Sequence, residues 1–198
     1  MAVVARRILL AALGATGCAA AGTPPPAPPP AVVAPAARSE VVADAGVRFM
    51  RDMIAHHAQA LELTALVRSR TEREDMHRLA ERIEVSQADE MALMRRWLEA
   101  RGEVPGDAPA HHHGAAMPGM LSAAEIAAVA RARGRDFERR FLEAMIRHHE
   151  GALTMVAELF DSGGANRDVE LYRFASDVDA DQRAEIARMR RLLDSFPR

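Results

Sequence analysis

An internal repeat constrains the fold of this chain more than any other feature of its sequence. Residues 44–61 align without gaps on residues 136–153, and nine of the 18 aligned pairs are identical. A second gap-free alignment matches residues 87–98 with residues 182–193. Because each copy holds two aligned segments with a turn between them, we predict that each copy folds as a helical hairpin.

Two such hairpins predict an all-α fold, a four-helix bundle, because either hairpin alone would leave its apolar stripe in water. Aromatic residues make up only 4% of the chain, and no segment shows the alternation of polar and apolar residues that is typical of strands. We place the bundle domain at residues 41–198, with repeat 1 at about 44–101, a linker at about 102–121 and repeat 2 at about 122–195.

Polar residues mark the expected starts of three helices. Asp44 and Asp136 are expected to open the first helix of each copy, where a carboxylate can accept hydrogen bonds from free amides. Ser122 and Glu125 have the spacing of a capping box. They predict a further short helix just before the second copy.

The first 17 residues have the layout of a secretory signal peptide. Arg6 and Arg7 precede a short apolar run that ends at Leu13, and small residues follow. This run is far shorter than the roughly 20 apolar residues that span a bilayer, so we expect cleavage during export rather than a transmembrane helix. The signal predicts a periplasmic or outer-envelope location.

A lipid anchor and a tether are predicted after the signal peptide. Cys18, the only cysteine, follows an Ala-Thr-Gly string that resembles the bacterial lipobox, in which the cysteine is lipidated. Cleavage by the ordinary signal peptidase among residues 19–21 is the alternative. Residues 18–40 would form a tether, because seven of the 11 prolines lie between Thr23 and Ala37 and favour an extended spacer. The net charge of −2 gives no reason to expect nucleic acid as a partner, and the lipid would be the only membrane contact.

The identical positions of the repeat include potential metal ligands. Met53, His56 and His57 lie three and four residues apart, which places one thioether and two imidazoles on one sector of a helix. The second copy repeats this set as Met145, His148 and His149. If the two helices face each other, both sets approach one ion. Imidazole is the commonest metal ligand in proteins and thioether sulfur favours Cu(I), so we predict a copper site, preferably for Cu(I), at these six residues.

A structural role is the alternative for the same residues, because a methionine stripe at helical spacing usually fills a core. Two points favour metal: the flanking residues differ between the copies while both His pairs remain, and buried imidazoles require partners. Zinc or silver could compete with copper. Further thioethers that could contribute are Met50, Met91, Met94, Met155 and Met189.

The linker between the copies offers a second group of possible metal ligands. Its members are His111, His112, His113, Met117 and Met120. Glycine and proline interrupt this segment, which is typical of short metal-capturing tracts, and a solvated loop is the alternative. His77 stands alone on a polar helical segment and is expected at the surface.

These motifs resemble the bacterial family DUF305, the domain of unknown function 305. The segments that carry the resemblance are residues 49–57, 87–98, 117–122, 141–152 and 182–193, and together they cover nearly everything from Asp44 onward. The resemblance implies a ferritin-like helical bundle. Some members of the family bind copper in the periplasm and contribute to copper tolerance, which implies this role for the matching histidines and methionines. Leu142 stands where the first copy has Met50, so Met50 has no counterpart.

Two other functions stay open from the sequence. A ferritin-like oxidoreductase would hold two irons with inward glutamates and a pair of Glu-x-x-His motifs, but Glu74 to His77 is the only such motif in the chain. A helical module whose histidines only pack or titrate is the other. We therefore predict a metal-binding protein rather than an enzyme. Its binding should weaken below about pH 6.5, the ordinary histidine pKa.

Overall fold

A computed structural model describes residues 35–104, 117–166 and 168–196 of the chain, with side chains from Ala45 onward. These residues form six helices and no strands: α1 (Pro35–Ala65), α2 (Val67–Arg70), α3 (Glu74–Glu99), α4 (Ala123–Arg131), α5 (Gly134–Asp161) and α6 (Val169–Asp194). The predicted all-α class is therefore confirmed. The predicted signal peptide, Cys18, most of the tether and residues 111–113 lie outside the described residues.

The four long helices pack in pairs. α1 packs along α3, and α5 packs along α6. α1 also packs against α5, whereas α3 and α6 approach each other more sparsely. The contact between α1 and α5 brings together the two helices that carry the repeated His-His dipeptides. No helix among the described residues combines the length and apolar composition needed to cross a bilayer.

The predicted starts of α1 and α5 are wrong. α1 begins at Pro35, ahead of Asp44 and inside the segment predicted as a tether. Proline is accommodated at the first position of a helix, and the alanines after it favour helix formation. α5 begins at Gly134 without a side-chain cap, and the Asp136 carboxylate instead pairs with Arg140 one turn along the helix.

Side-chain caps fix the starts of α4 and α6. Ser122 and Glu125 form the predicted capping box, each side chain bonding to the backbone amide of the other. Asp168 caps α6 by accepting hydrogen bonds from the amides of Glu170 and Leu171. These caps satisfy amides that the first turn of a helix leaves without partners.

The buried apolar residues form two clusters. The Met53 cluster includes Phe49, Met50, Met53, Met94, Trp97, Val156 and Phe174. The Met145 cluster includes Leu63, Met76, Ile83, Phe141, Leu142, Met145 and Met189. Each long helix contributes residues near one of its ends to the Met53 cluster and residues near its other end to the Met145 cluster. Along the chain, α1 passes from the Met53 cluster to the Met145 cluster, and α5 passes from the Met145 cluster to the Met53 cluster. The two helices therefore run antiparallel.

Candidate metal centre

A layer of buried polar side chains separates the two apolar clusters along every long helix. We call it the polar layer; it consists of His56 and His57 on α1, Gln87 and Glu90 on α3, His148 and His149 on α5, and Gln182 and Glu185 on α6. The four histidines and both glutamines are 0% exposed, Glu90 is 8% exposed and Glu185 is 4% exposed. Each helix thus carries two polar residues at the level where its apolar residues change cluster.

His56 and His148 join the two copies of the repeat at the centre of this layer. Their ring centroids are 3.8 Å apart and the ring planes are inclined by 36°. The imidazoles of the two copies therefore lie in contact. The helix spacing places His57 and His149 next to this pair, and the ring centroids of His148 and His149 are 6.1 Å apart.

The other two histidines are each held by a glutamate from the partner helix of the same hairpin. His57 Nε2 lies 2.5 Å from Glu90 Oε2, and His149 Nε2 lies 2.7 Å from Glu185 Oε2. A carboxylate accepts this hydrogen bond, so each ring carries its proton on Nε2. The same contact occurs in both copies, and Nδ1 of both rings has no hydrogen-bond partner within the described residues.

Most of the remaining polar atoms of the layer have no hydrogen-bond partner within the described part of the chain. They are Nδ1 of all four histidines, Nε2 of His148, and both amide atoms of Gln87 and Gln182. An unsatisfied buried polar atom costs about 1–3 kcal/mol. Such atoms need partners from outside the chain, which an ordered water or a bound ion can supply.

The two central histidines are neutral at ordinary pH. Burial and, to a smaller extent, the neighbouring His57 lower the pKa of His56 to about 3. Burial, followed by the neighbouring His56, lowers the pKa of His148 well below its usual range. Neutral imidazole is the form that binds metal. For these two rings, protons therefore compete with a metal only well below the ordinary histidine pKa of 6.5.

A loop after residue 116 covers His56. His56 Nε2 donates a hydrogen bond to the Pro118 carbonyl oxygen at 3.0 Å, which leaves Nδ1 as the free nitrogen of this ring. Gln59 forms two hydrogen bonds with the Leu121 backbone, at 2.9 Å and 2.8 Å. A Cβ atom on Gly151 would lie only 2.1 Å from the Pro118 oxygen, so the loop rests directly on the α5 backbone. We call residues 117–121 the covering loop.

The predicted methionine ligands are buried but are not brought into one group. Met53 and Met145 are both 0% exposed. Met53 belongs to one apolar cluster, with Met50, Met94 and the nearby Met91 and Met155, while Met145 belongs to the other with Met189. The polar layer therefore has thioethers in the clusters on both sides. Met117 and Met120 are partly buried, in the covering loop.

No group of three or more His, Cys, Asp or Glu side chains within the described ranges is arranged to hold a metal ion. A complete site made from these donors alone is thus not preformed. The available donors are the free imidazole nitrogens of the polar layer and the thioethers of the adjoining clusters. Mixed imidazole and thioether donors suit soft or borderline metals such as copper.

His77 differs from its prediction as a surface residue. Its ring is partly buried, and Nε2 lies 2.7 Å from the Thr71 carbonyl oxygen. This bond ties the start of α3 to the turn that precedes it. The residue satisfies local backbone and lies outside the polar layer.

Sequence reasoning missed the four residues that α3 and α6 supply to the layer. They are Gln87, Glu90, Gln182 and Glu185. Each Gln and Glu is identical in the two copies at the same place in the second alignment. This identity was the available signal. It was not used because polar residues on an amphipathic helix normally face water.

Comparison with known proteins places the chain among helical proteins of one family. The family model of DUF305, a domain of unknown function, matches residues 46–193. The crystal structure of a DUF305 fragment from Deinococcus radiodurans is 35% identical, with a TM-score of 0.69, over 77% of this chain and 97% of that chain. A candidate secreted DUF305 protein from Streptomyces coelicolor is 33% identical, with a TM-score of 0.64, over 76% of this chain and 92% of that chain.

A more distant neighbour shares the fold. CopM in its Cu(I)-bound form is 24% identical, with a TM-score of 0.61, over 75% of this chain and 95% of that chain. CopM structures in Cu(II)-bound and Ag-bound forms match with TM-scores of 0.59. No curated protein sequence matches the chain.

Proposed function

The chain belongs to the DUF305 family, and we propose that it is an exported protein that binds copper in its polar layer. Its role would be copper homeostasis or tolerance in the periplasm or at the cell surface. The observation that carries the proposal is the set of buried, unpartnered imidazole nitrogens contributed by both copies. Metal coordination would satisfy atoms that otherwise destabilise the folded protein.

Hydrogen bonds select which nitrogen of each ring is the donor. Glu90 and Glu185 occupy Nε2 of His57 and His149, and the Pro118 carbonyl occupies Nε2 of His56. Nδ1 would therefore bind the ion at these three rings. His148 has no hydrogen bond to a side chain or to the covering loop, so these groups fix neither of its nitrogens as the donor. Carboxylates that hold a ligating histidine in this way fix its orientation and increase its basicity.

Copper is favoured over zinc because of the sulfur on both sides of the layer. Met53 and Met145 are fully buried at neighbouring positions of the same helices, with Met50, Met94 and Met189 as further thioethers. Thioether sulfur binds Cu(I) in preference to harder cations, and Ag(I) shares this preference. The neighbour CopM, with Cu(I)-, Cu(II)- and Ag-bound forms, supports the same choice.

We also infer a ferritin-like four-helix bundle that arose by duplication of one hairpin. The equivalent pairs His57–Glu90 and His149–Glu185 support this origin, because each joins the two helices of its own hairpin. Export by the signal peptide and lipid attachment at Cys18 complete the proposal. The Streptomyces coelicolor relative, a candidate secreted protein, supports export.

Titration with Cu(I) against a competing chelator tests this function. The purified protein should bind copper at fixed stoichiometry, and a variant with His56, His57, His148 and His149 all changed to Gln should lose this binding. A matched variant with His111, His112 and His113 changed to Gln should keep it. Circular dichroism would check that both variants fold. If the layer variant is folded and still binds with unchanged stoichiometry and affinity, the proposal is wrong and the linker tract is the site.

A second candidate is a ferritin-like redox protein. The inward carboxylates Glu90 and Glu185 favour it, since di-iron centres use glutamates from facing helices. Each carboxylate is already bonded to a histidine, however, and Glu74 of the only Glu-x-x-His motif is exposed and paired with Arg78. Anaerobic addition of Fe(II) followed by oxygen separates the two functions, because only the redox protein would accelerate iron oxidation.

A further inference from the structure

We propose that the metal ion reaches the polar layer through the groove between α3 and α6, past the carboxylates of Glu90 and Glu185. This inference rests on the proposed function and adds the path by which the ion enters. The four histidines have no exposed surface, so an ion must approach through some face of the bundle. Three observations identify which face that is.

The first observation is the shape and charge of the groove. It has a volume of about 620 Å³ and lies between α3 and α6, which pack more sparsely than the helices of either close pair, α1 with α3 or α5 with α6. Five carboxylates line it, from Asp89, Glu90, Asp177, Asp181 and Glu185, against two guanidinium groups, from Arg82 and Arg188. The lining is therefore negative overall and attracts cations.

The second observation is that two of these carboxylates also touch the histidines. Glu90 and Glu185 line the groove, and the same side chains bond to Nε2 of His57 and His149. One hydrogen bond thus separates the groove from rings that are completely buried. The same arrangement occurs in both copies, so the groove meets the layer at two equivalent points.

The third observation is that the α1–α5 face and the interior on both sides of the layer are filled. The covering loop lies on His56, with the Pro118 carbonyl bonded to the ring. Gly119 and Gly151 bring the loop and α5 into backbone contact, since a Cβ on either would lie less than 3 Å from the other segment. Above and below the layer, the two apolar clusters fill the interior. The groove on the α3–α6 face is lined by two carboxylates, Glu90 and Glu185, that contact the histidines of the layer.

Crowding of the carboxylates supports a cation path. Burial raises the pKa of Asp181, and the neighbouring Glu90, Glu185 and Asp177 raise it further. These acidic groups therefore repel one another across the groove. A passing cation would relieve this repulsion, and a cleft of one charge sign increases the rate at which counter-ions enter.

Rapid mixing with Cu(I) delivered from a weak chromophoric chelator tests the path. A groove variant carries Asp89→Asn, Asp177→Asn and Asp181→Asn, all at exposed positions outside the layer. A control variant carries Glu62→Gln, Glu99→Gln and Glu158→Gln, which are exposed and remove the same charge elsewhere. We expect the association rate to fall about tenfold in the groove variant at low salt and to change less than about twofold in the control. The difference should shrink at about 1 M salt, where charges are screened.

A second pair of variants tests the path by changing side-chain bulk without changing charge. Ala184→Trp fills the groove, whereas Ala157→Trp places the same bulk on an exposed part of α5. Only the groove substitution should slow Cu(I) binding, at low and high salt alike, with unchanged stoichiometry.

Equal rates in the groove and control variants, with stoichiometry kept, would overturn the path while leaving the proposed function intact. Loss of stoichiometry in the Asp variant would also overturn it, by making the groove itself the site. Absence of Cu(I) binding by the unaltered protein would overturn the proposed function and the path with it.

Discussion

His56 and His148 occupy the same position in the two copies of the repeat, yet their surroundings differ. His56 donates a hydrogen bond to Pro118 in the covering loop, whereas His148 has no hydrogen bond to the covering loop or to a side chain within the described residues. The loop follows the first copy and docks over only one of the two rings. A duplicated sequence can thus produce two ligands of different availability, because a linker outside the repeat decides which nitrogen is free. His56 is the ring that the loop holds in one orientation, with Nδ1 free.

The largest expected effect is on the pH dependence of stability, because both buried rings are neutral in the folded protein. Both have a pKa below the ordinary value of 6.5, His56 at about 3, so only the unfolded chain gains these protons as the pH falls below 6.5. Stability from the two neutral rings is complete above pH 6.5 and is lost as the pH falls toward about 3. Each ring should remove about 1.4 kcal/mol per pH unit, or about 5 kcal/mol for both between pH 6.5 and 4.5.

Urea denaturation of the metal-free protein across this pH range measures the loss. A variant with His56 and His148 both changed to Gln should show a much flatter pH dependence. If the unaltered protein and this variant have the same slope, the two rings are not held neutral by burial.

The next effect separates the two rings. His56→Gln and His148→Gln each remove one donor nitrogen, but only His56 is held in place by a hydrogen bond from its other nitrogen to the covering loop. We expect Cu(I) affinity to fall about 100-fold in His56→Gln and about tenfold in His148→Gln, a difference of about 1.4 kcal/mol. Chelator competition measures both affinities. Equal losses would show that the covering loop does not distinguish the two copies.

A further variant removes the difference between the two rings. Gly151→Ala would place a Cβ 2.1 Å from the Pro118 oxygen, so the covering loop must lift and release His56. We expect a loss of about 1–3 kcal/mol of stability from this overpacking. Gly46→Ala is the control, because its closest neighbour, at 2.8 Å, is the flexible end of Leu171.

Nitrogen NMR of the imidazoles shows whether the Gly151 variant makes His56 resemble His148. Loss of the hydrogen-bonded Nε2 proton signal of His56 is the expected result. A variant that is as stable as the unaltered protein and keeps this signal would contradict the docking of the loop.

The repeat predicted much of this structure because helical periodicity and duplication are properties of the chain itself. Alignment predicted the helical segments, and the spacing of Ser122 and Glu125 predicted the α4 cap. The start of α1 was missed, since Pro35 follows a proline-rich segment that favours an extended conformation, and one proline at a helix start gives no separate signal.

The site was predicted only in part. The histidines were found from their identity in both copies, but Glu90 and Glu185 were not assigned to the site, because charged residues on amphipathic helices normally face solvent. The difference between His56 and His148 depends on the close approach of Gly119 and Gly151. Such an approach depends on how the linker docks, which local sequence patterns do not describe.

The position of the polar layer also sets the axial alignment of the four long helices. Sliding one helix by a turn, about 5.4 Å, would move its two polar residues into an apolar cluster and bring apolar residues against the remaining histidines and glutamates. Burying polar groups without partners is costly, so such misaligned packings are disfavoured. Buried polar residues fix the register of coiled coils in the same way. The side chains proposed to bind the metal therefore also specify, before any metal arrives, how the helices must line up to receive it.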